Sequence, residues 1–256
     1  LLKLLGEARF AQSQLLTQVK DLGLKERSWA QQELLLEETL KTASIEGEIY
    51  QRNSVRSSIR KHLGLPGGSD VQIEPHVDGL VQVLLDATVQ HQQMLTKERL
   101  FVWHAALFPT GYSGFQKIET GQWRSEGVAV VSGAVGQEKI LYEGVPAKLL
   151  EKEMSKFFVW WKNSSQLDGL LRAAIVHIWF VMIHPFADGN GRLARVLTEM
   201  ALAQDENLAI RYYSLSSQIM DERTRYYKVL QENQGDVRDI TSWLEWFLET
   251  FVKSIK

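Results

Sequence analysis

The residues best able to do chemistry lie in one stretch of twelve, His184-Pro-Phe-Ala-Asp-Gly-Asn-Gly-Arg-Leu-Ala-Arg195. Pro185 disfavours helical geometry in the residue before it, so a helix leading into this stretch must stop near His184. A histidine mounted on the end of a rigid helix is well placed to act as a base. Two glycines around Asn190, just ahead of another helical run, let successive backbone N–H groups converge on an anion at the positive end of that helix. Arg192 and Arg195, three apart, share a face of the first turn and add guanidinium forks suited to phosphate oxygens. Asp188 supplies a carboxylate for a hard cation such as Mg2+. The stretch combines a polyphosphate cradle, a metal ligand and a histidine.

Each piece alone has an ordinary structural reading. A Gly-Asn-Gly loop is usually a turn or a cap, a lone aspartate a capping residue, and a histidine after an apolar helix a packed one. Their coincidence within twelve residues favours the chemical reading. Two arginines in a first helical turn also oppose the helix dipole, which a bound anion would resolve.

The elements that must position these residues read mainly as helix. Leu167, Leu170, Leu171, Ala174, Ile175 and Ile178 keep helical spacing, and residues 173–183 are apolar almost all round, which predicts a helix in the middle of a core. The next helix turns Leu193, Val196, Leu197, Met200 and Ala201 inward. Ahead of them, helices are predicted over 1–20, 25–45, 55–63, 77–92 and 97–107, and behind them over 222–233 and 240–255. A further helix is expected at 147–162, and Gly64-Leu-Pro-Gly-Gly-Ser-Asp70 is the clearest linker. Val128–Val131 and Lys139–Tyr142, joined by Ser132-Gly-Ala-Val-Gly136, predict a β-hairpin, the one convincing β element. His104 and His177 interrupt apolar faces and read as core histidines. Trp103, Trp160, Trp161, Trp179, Trp243 and Trp246 read as core or interface residues.

The motif resembles that of the Fic family, His-x-Phe-x-Asp/Glu-Gly-Asn-Gly-Arg-x-x-Arg, and His184, Phe186, Asp188, Gly189, Asn190, Gly191, Arg192 and Arg195 match it without a departure. The resemblance implies an all-α, Fic-type helical bundle with one β-hairpin flap, preceded by an N-terminal helical region. Residues 1–69 would form that region and residues 70–256 the catalytic core with its C-terminal helices. It implies transfer of AMP from ATP-Mg to a hydroxyl side chain of a target protein, with release of pyrophosphate. His184 would deprotonate the Ser, Thr or Tyr hydroxyl and Asp188 would hold Mg2+. Gly189, Asn190, Gly191, Arg192 and Arg195 would hold the phosphates, and Phe186 would anchor the loop. Doc-like toxins, relatives that phosphorylate their targets, carry lysine where this chain has Gly191, so glycine implies nucleotidyl transfer. Tyr226, Tyr227 and Asn233 are similar to the family stretch that packs near the adenine. Val128, Val130 and Val131 match the flap strand that docks the target by strand addition.

Upstream, Thr42-Ala-Ser-Ile-Glu46-Gly47 resembles the family's inhibitory motif, Ser/Thr-x-x-x-Glu-Gly/Asn. The resemblance implies that Glu46 reaches into the nucleotide site and makes a bidentate pair with Arg195. Read without it, Ile45-Glu46-Gly47 is a helix end with glycine at the cap. Val55-Arg-Ser-Ser-Ile59 with Leu63 also looks like the helical region that accompanies Fic domains.

Composition limits the remaining possibilities. The 256 residues carry 29 Lys and Arg against 31 Asp and Glu, a net charge of −2 that gives no footprint for a nucleic acid partner. There is no cysteine, which excludes disulfides, thiol nucleophiles and cysteine-based zinc sites. Leu1–Leu5 is too short for a signal sequence and is interrupted by Lys3, and the apolar run 173–183 is far short of a bilayer span. These features predict a cytoplasmic protein with no membrane partner, open to self-association as a homodimer or to self-modification. Two other functions fit the same residues: a hydrolase that removes AMP from a modified target with Glu46 as base, and a regulatory nucleotide-binding module without catalysis.

Overall fold

A computed structural model describes every residue except 69–70, 128, 133–138 and 234–238. Among the described residues eleven α-helices account for most of the chain: α1 (Leu2–Gln18), α2 (Leu24–Ile45), α3 (Arg52–His62), α4 (Pro75–Val89), α5 (Lys97–Leu107), α6 (Leu150–Asn163), α7 (Gly169–Ile183), α8 (Asn190–Glu206), α9 (Leu215–Asp221), α10 (Arg223–Glu232) and α11 (Thr241–Ile255). The helical bundle is the expected fold class. Its centre is the pair α7 and α8, which run along each other and are buried on nearly every side. Around them α4 packs on α5 and α8, α11 on α7, and α6 on the far side of α7.

Local chemistry sets the helix ends. The Asp168 carboxylate accepts from the N–H groups of Leu170 and Leu171, so α7 begins at Gly169, two residues later than the apolar spacing predicts. Thr96 caps α5 in the same way, and Ser214 caps α9. The helix α9 was not expected: it has only seven residues, and its buried side is set by tertiary contacts. There the buried Glu38 of α2 accepts from the hydroxyls of Ser214 and Ser216 and from the Ser216 N–H.

The N-terminal helices do not stand apart from the rest. α1 lies against α11, and Arg9 reaches both Asp168 and Asp205 at the outer ends of α7 and α8. α2 packs on α9, α3, α4 and α8. Its last turn buries Thr42, and Glu46 caps its end with part of its surface exposed.

Two short ladders make up the described β structure. β1 (Tyr112–Ser113) pairs with β2 (Gln116–Lys117), a two-residue hairpin that the sequence reading missed. β3 (Ala129–Ser132) pairs antiparallel with β4 (Lys139–Glu143), close to the expected hairpin, with the register slipping between Val130 and Val131. Val128 lies outside the described residues. Among the described residues no helix is long and apolar enough to cross a membrane.

Candidate active site

His184 closes α7 in the left-handed region at φ +51°, a conformation that non-glycine residues rarely adopt. Several contacts hold it there. Its N–H donates to Phe180 O at 3.0 Å, and Nδ1 lies 3.1 Å from Val181 O. Its carbonyl accepts from Arg124 Nε at 2.7 Å. The buried Arg124 guanidinium also donates to Glu126 O and Val145 O, at the two ends of the flap stem, and its N–H donates to Pro185 O. One arginine thus ties the flap to the histidine's backbone. Its single occurrence in a glycine-punctuated stretch gave no sign of this in the sequence. Burial pushes the His184 imidazole down to about 4, and the nearby Arg124 charge pushes the same way, against Val181 O and the charges of Glu46 and Asp188. The ring is therefore neutral near pH 7.

The loop after His184 is braced from inside. The Asn190 side chain accepts from Phe186 N–H at 3.0 Å and donates to Phe186 O at 2.9 Å, so its amide is engaged within the loop and does not face outward. Phe186 is fully buried among His104, Trp123, Phe101 and Phe180. Gly189 sits at φ +77°, where a Cβ would also stand 2.8 Å from the Phe108 ring, so both backbone and space require glycine. From there α8 starts with no side-chain cap, and its first N–H groups are left to a ligand or to solvent.

The Asp188 carboxylate accepts from the Ser113 hydroxyl and from the Gly189 N–H, while its carbonyl faces His104 Nε2 at 3.2 Å. Ser113 lies on the unforeseen β1. Among the described residues no cluster of three or more acidic or histidine side chains could hold a metal. A single carboxylate suits Mg2+, which keeps several waters and takes its other ligands from phosphates.

Both arginines are buried, and both meet the segment that follows α2. Arg195 donates from Nε to Thr42 Oγ1 at 2.6 Å, and from Nη2 to Thr42 O at 3.0 Å and to Glu46 Oε1 at 2.6 Å. The expected carboxylate fork is thus not bidentate: the threonine takes half of the guanidinium. Burial works against the Arg195 charge, but the Glu46 carboxylate together with Tyr226 and Tyr227 more than offsets it and keeps the group cationic. Arg192 Nη1 contacts both oxygens of Glu48, at 2.9 and 3.0 Å, and its guanidinium lies over the Phe108 ring. Glu48 was not foreseen. A Cβ on Gly191 would fall 2.1 Å from Glu46 Oε1, so the carboxylate occupies the space directly over that glycine. Arg195 Nη1 and Arg192 Nε are buried and have no partner among the described residues. Those two donors suit phosphate oxygens.

The remaining expected residues divide. Tyr227 is half-buried at the edge of the site, and its hydroxyl donates to Ile45 O at 3.2 Å beside Arg223 Nε at 2.7 Å. These two anchor the end of α2, with Gly47 at φ +83° closing it. Tyr226 is buried behind Arg195, with its hydroxyl 2.9 Å from His177 Nε2. Asn233 is also buried, bonded to Val229 O and Ser242. The structure therefore brings Tyr227 to the site, leaves Tyr226 behind Arg195 and buries Asn233 between α10 and α11.

With this geometry in place, two family models match: the Fic/DOC family over residues 94–202, and a domain of unknown function, DUF4172, over residues 1–65. Residues 94–202 are similar to the Fic family. A protein adenylyltransferase Fic from Nematostella vectensis is 28% identical over 204 residues, covering 76% of this chain and 42% of that protein. A protein adenylyltransferase fic-1 from Caenorhabditis elegans is 36% identical over 98 residues, 36% of this chain and 18% of that one. The chain thus spans less than half the length of these curated relatives. A crystal structure of a Fic family protein from Desulfovibrio desulfuricans superposes with a TM-score of 0.75 at 23% identity, covering 99% of this chain and 72% of that one. A Fic domain containing signaling protein from Bacteroides thetaiotaomicron gives 0.71 at 16%, over 97% and 94% of the two chains. At these identities the likeness is one of fold. The Fic/DOC match takes in α5, the flap, α7 and most of α8, the elements that carry the Fic motif and its supports.

Proposed function

We propose that this chain is a protein AMP-transferase held inactive by its own N-terminal region. The observation that carries the reading is the arrangement around Gly191. Glu46 occupies the space over Gly191 and pairs with Arg195, Glu48 pairs with Arg192, and a neutral His184 and the Asp188 carboxylate stand on the same motif loop. Curated relatives named protein adenylyltransferases support the same activity.

In the proposed reaction His184 takes the proton from a target hydroxyl. That oxygen bonds to the α-phosphorus of ATP as the bond to the pyrophosphate oxygen breaks. The neutral imidazole is the form able to accept the proton. Arg192 and Arg195 take up charge on the departing phosphates through the donors that now lack partners. Mg2+, when bound at Asp188, offsets charge on the phosphates. Arg124 holds the His184 backbone against the flap stem, so that a target strand added to β3 meets the base in a fixed place. Among the described residues the flap is a two-stranded ladder with free outer edges, as strand addition needs. Val130 and Val131 lie on its first strand, and residues 1–69 serve as the regulatory unit.

The test is incubation of wild type, Glu46→Gly and His184→Ala with Mg2+ and α-labelled ATP, reading label on the chain and on added lysate proteins. Strong labelling by Glu46→Gly, lost when His184→Ala is added, is the expected result. No label from either glutamate state would overturn the reading. If Glu46→Gly instead abolished a hydrolytic release of AMP, Glu46 would be a base for water rather than a plug.

A further inference from the structure

We propose that His104, outside the motif, is a positioning residue for the metal-side loop: its Nε2–H holds the Asp188 carbonyl and fixes where the Asp188 carboxylate points. The inference rests on the proposed nucleotide site and adds a residue to it. His104 sits on α5 with no exposed surface. The Gly121 N–H donates to its Nδ1 at 3.0 Å. A ring that accepts at Nδ1 carries its hydrogen on Nε2, so the group 3.2 Å from Asp188 O is a donor. The imidazole also stacks on Phe186, with centroids 4.1 Å apart and planes 7° from parallel. One ring therefore grips the motif loop at two places, through the Phe186 face and the Asp188 carbonyl.

The contact bears on metal geometry for a simple reason. Asp188 is the one motif carboxylate, and its direction depends on its own backbone. Gly189 follows it at φ +77° and provides no rigid support. On the outer side only the Ser113 hydroxyl and the Gly189 N–H touch the carboxylate in the described contacts. His104 holds the inner side, and through Gly121 it links the loop to the stretch that leads to Arg124 and the flap.

The two ring nitrogens can be tested separately. Asparagine places its amide oxygen near Nδ1 and keeps the Gly121 contact, whereas glutamine places its amide nitrogen near Nε2 and keeps the Asp188 contact. In a Glu46→Gly background, ATP binding is titrated by calorimetry without and with Mg2+. We expect His104→Asn to bind metal-free ATP like the parent but to lose about tenfold of the affinity gained from Mg2+. His104→Gln should retain that gain. Thermal melts confirm folding in each case. Equal Mg2+ gain in folded His104→Asn and the parent would overturn the proposal. Equal loss of metal-free and Mg2+-assisted binding in both variants would also overturn it, since that is the mark of general damage. A Glu46→Gly parent that binds no ATP at all would overturn the transferase reading and this inference with it.

Discussion

Arg192 is joined to Glu48 at 2.9 Å while, one turn further along α8, Arg195 is joined to Glu46 at 2.6 Å. The segment after α2 thus presents two carboxylates to two motif arginines, spaced i,i+2 in an irregular stretch against i,i+3 on a helix. Glu48 is itself held by the Tyr50 hydroxyl at 2.7 Å. If both pairs compete with phosphate, Glu48→Gln in the Glu46→Gly background should raise ATP affinity a further severalfold. Glu48→Gln alone should change little, because Glu46 still fills the space over Gly191. Calorimetric ATP titration of the four proteins checks this, and a fully active Glu48→Gln single variant would show that Glu46 is not the dominant block.

If His184 is the base, as proposed, its protonation state sets the acid limb of the reaction. Its folded value is depressed to about 4 from the usual histidine value of about 6.5, so the base form persists to lower pH. We expect the single-turnover rate of Glu46→Gly to stay level as pH falls through 6.5 and to decline only below it. A limb centred at or above 6.5 would contradict a desolvated, neutral His184.

Arg124 offers a test of coupling between flap and base. Lysine keeps the charge but cannot span three carbonyls in different directions. Arg124→Lys in the Glu46→Gly background should lower the transfer rate at least tenfold while leaving ATP affinity within about twofold. Nucleotide titration beside a labelling time course separates the two quantities. Equal loss of both would show that Arg124 only supports the fold.

Acid stability should carry the mark of His177. It is fully buried, placed between Thr198 and Tyr226, and burial pushes it down to about 3. The unfolded chain takes up a proton below about 6.5 that the native chain refuses until about 3, so stability falls with pH across that window. His177→Gln will be less stable at pH 7. Between pH 6 and 5 its stability should nevertheless fall less steeply, by about 1.4 kcal/mol per pH unit, the value of one proton. Denaturant unfolding at several pH values measures the slope.

The long helices and the motif were legible in the sequence because each rests on local patterns. The apolar spacing of α7, the proline after His184 and the glycines around Asn190 constrain a few neighbouring residues. Partners that meet only through tertiary folding were not legible. Glu48 lies 144 residues from Arg192, Ser113 lies 75 from Asp188, and Arg124 lies 60 from His184. Asn190 shows the limit within the motif itself: the family resemblance implied a phosphate contact, whereas its side-chain amide bonds both N–H and O of Phe186. Thr42 was expected beside Glu46, yet its half-share of the Arg195 guanidinium depends on how α2 approaches α8. The α9 helix was missed because serine at its start reads as loop until Glu38 supplies the partner.

The missing side chain at Gly191 leaves room for one oxygen-bearing group, and Glu46 now fills it. An anion entering that space and the Glu46 carboxylate therefore exclude each other. Thermodynamic reciprocity then fixes the size of the effect from either direction: whatever factor the glutamate takes from anion affinity, the bound anion takes from docking of α2. On the proposed reading, a partner that pulled α2 outward would act as an activator without touching the anion. A high concentration of that anion would loosen the N-terminal helices, measurable as faster amide exchange in the last turn of α2.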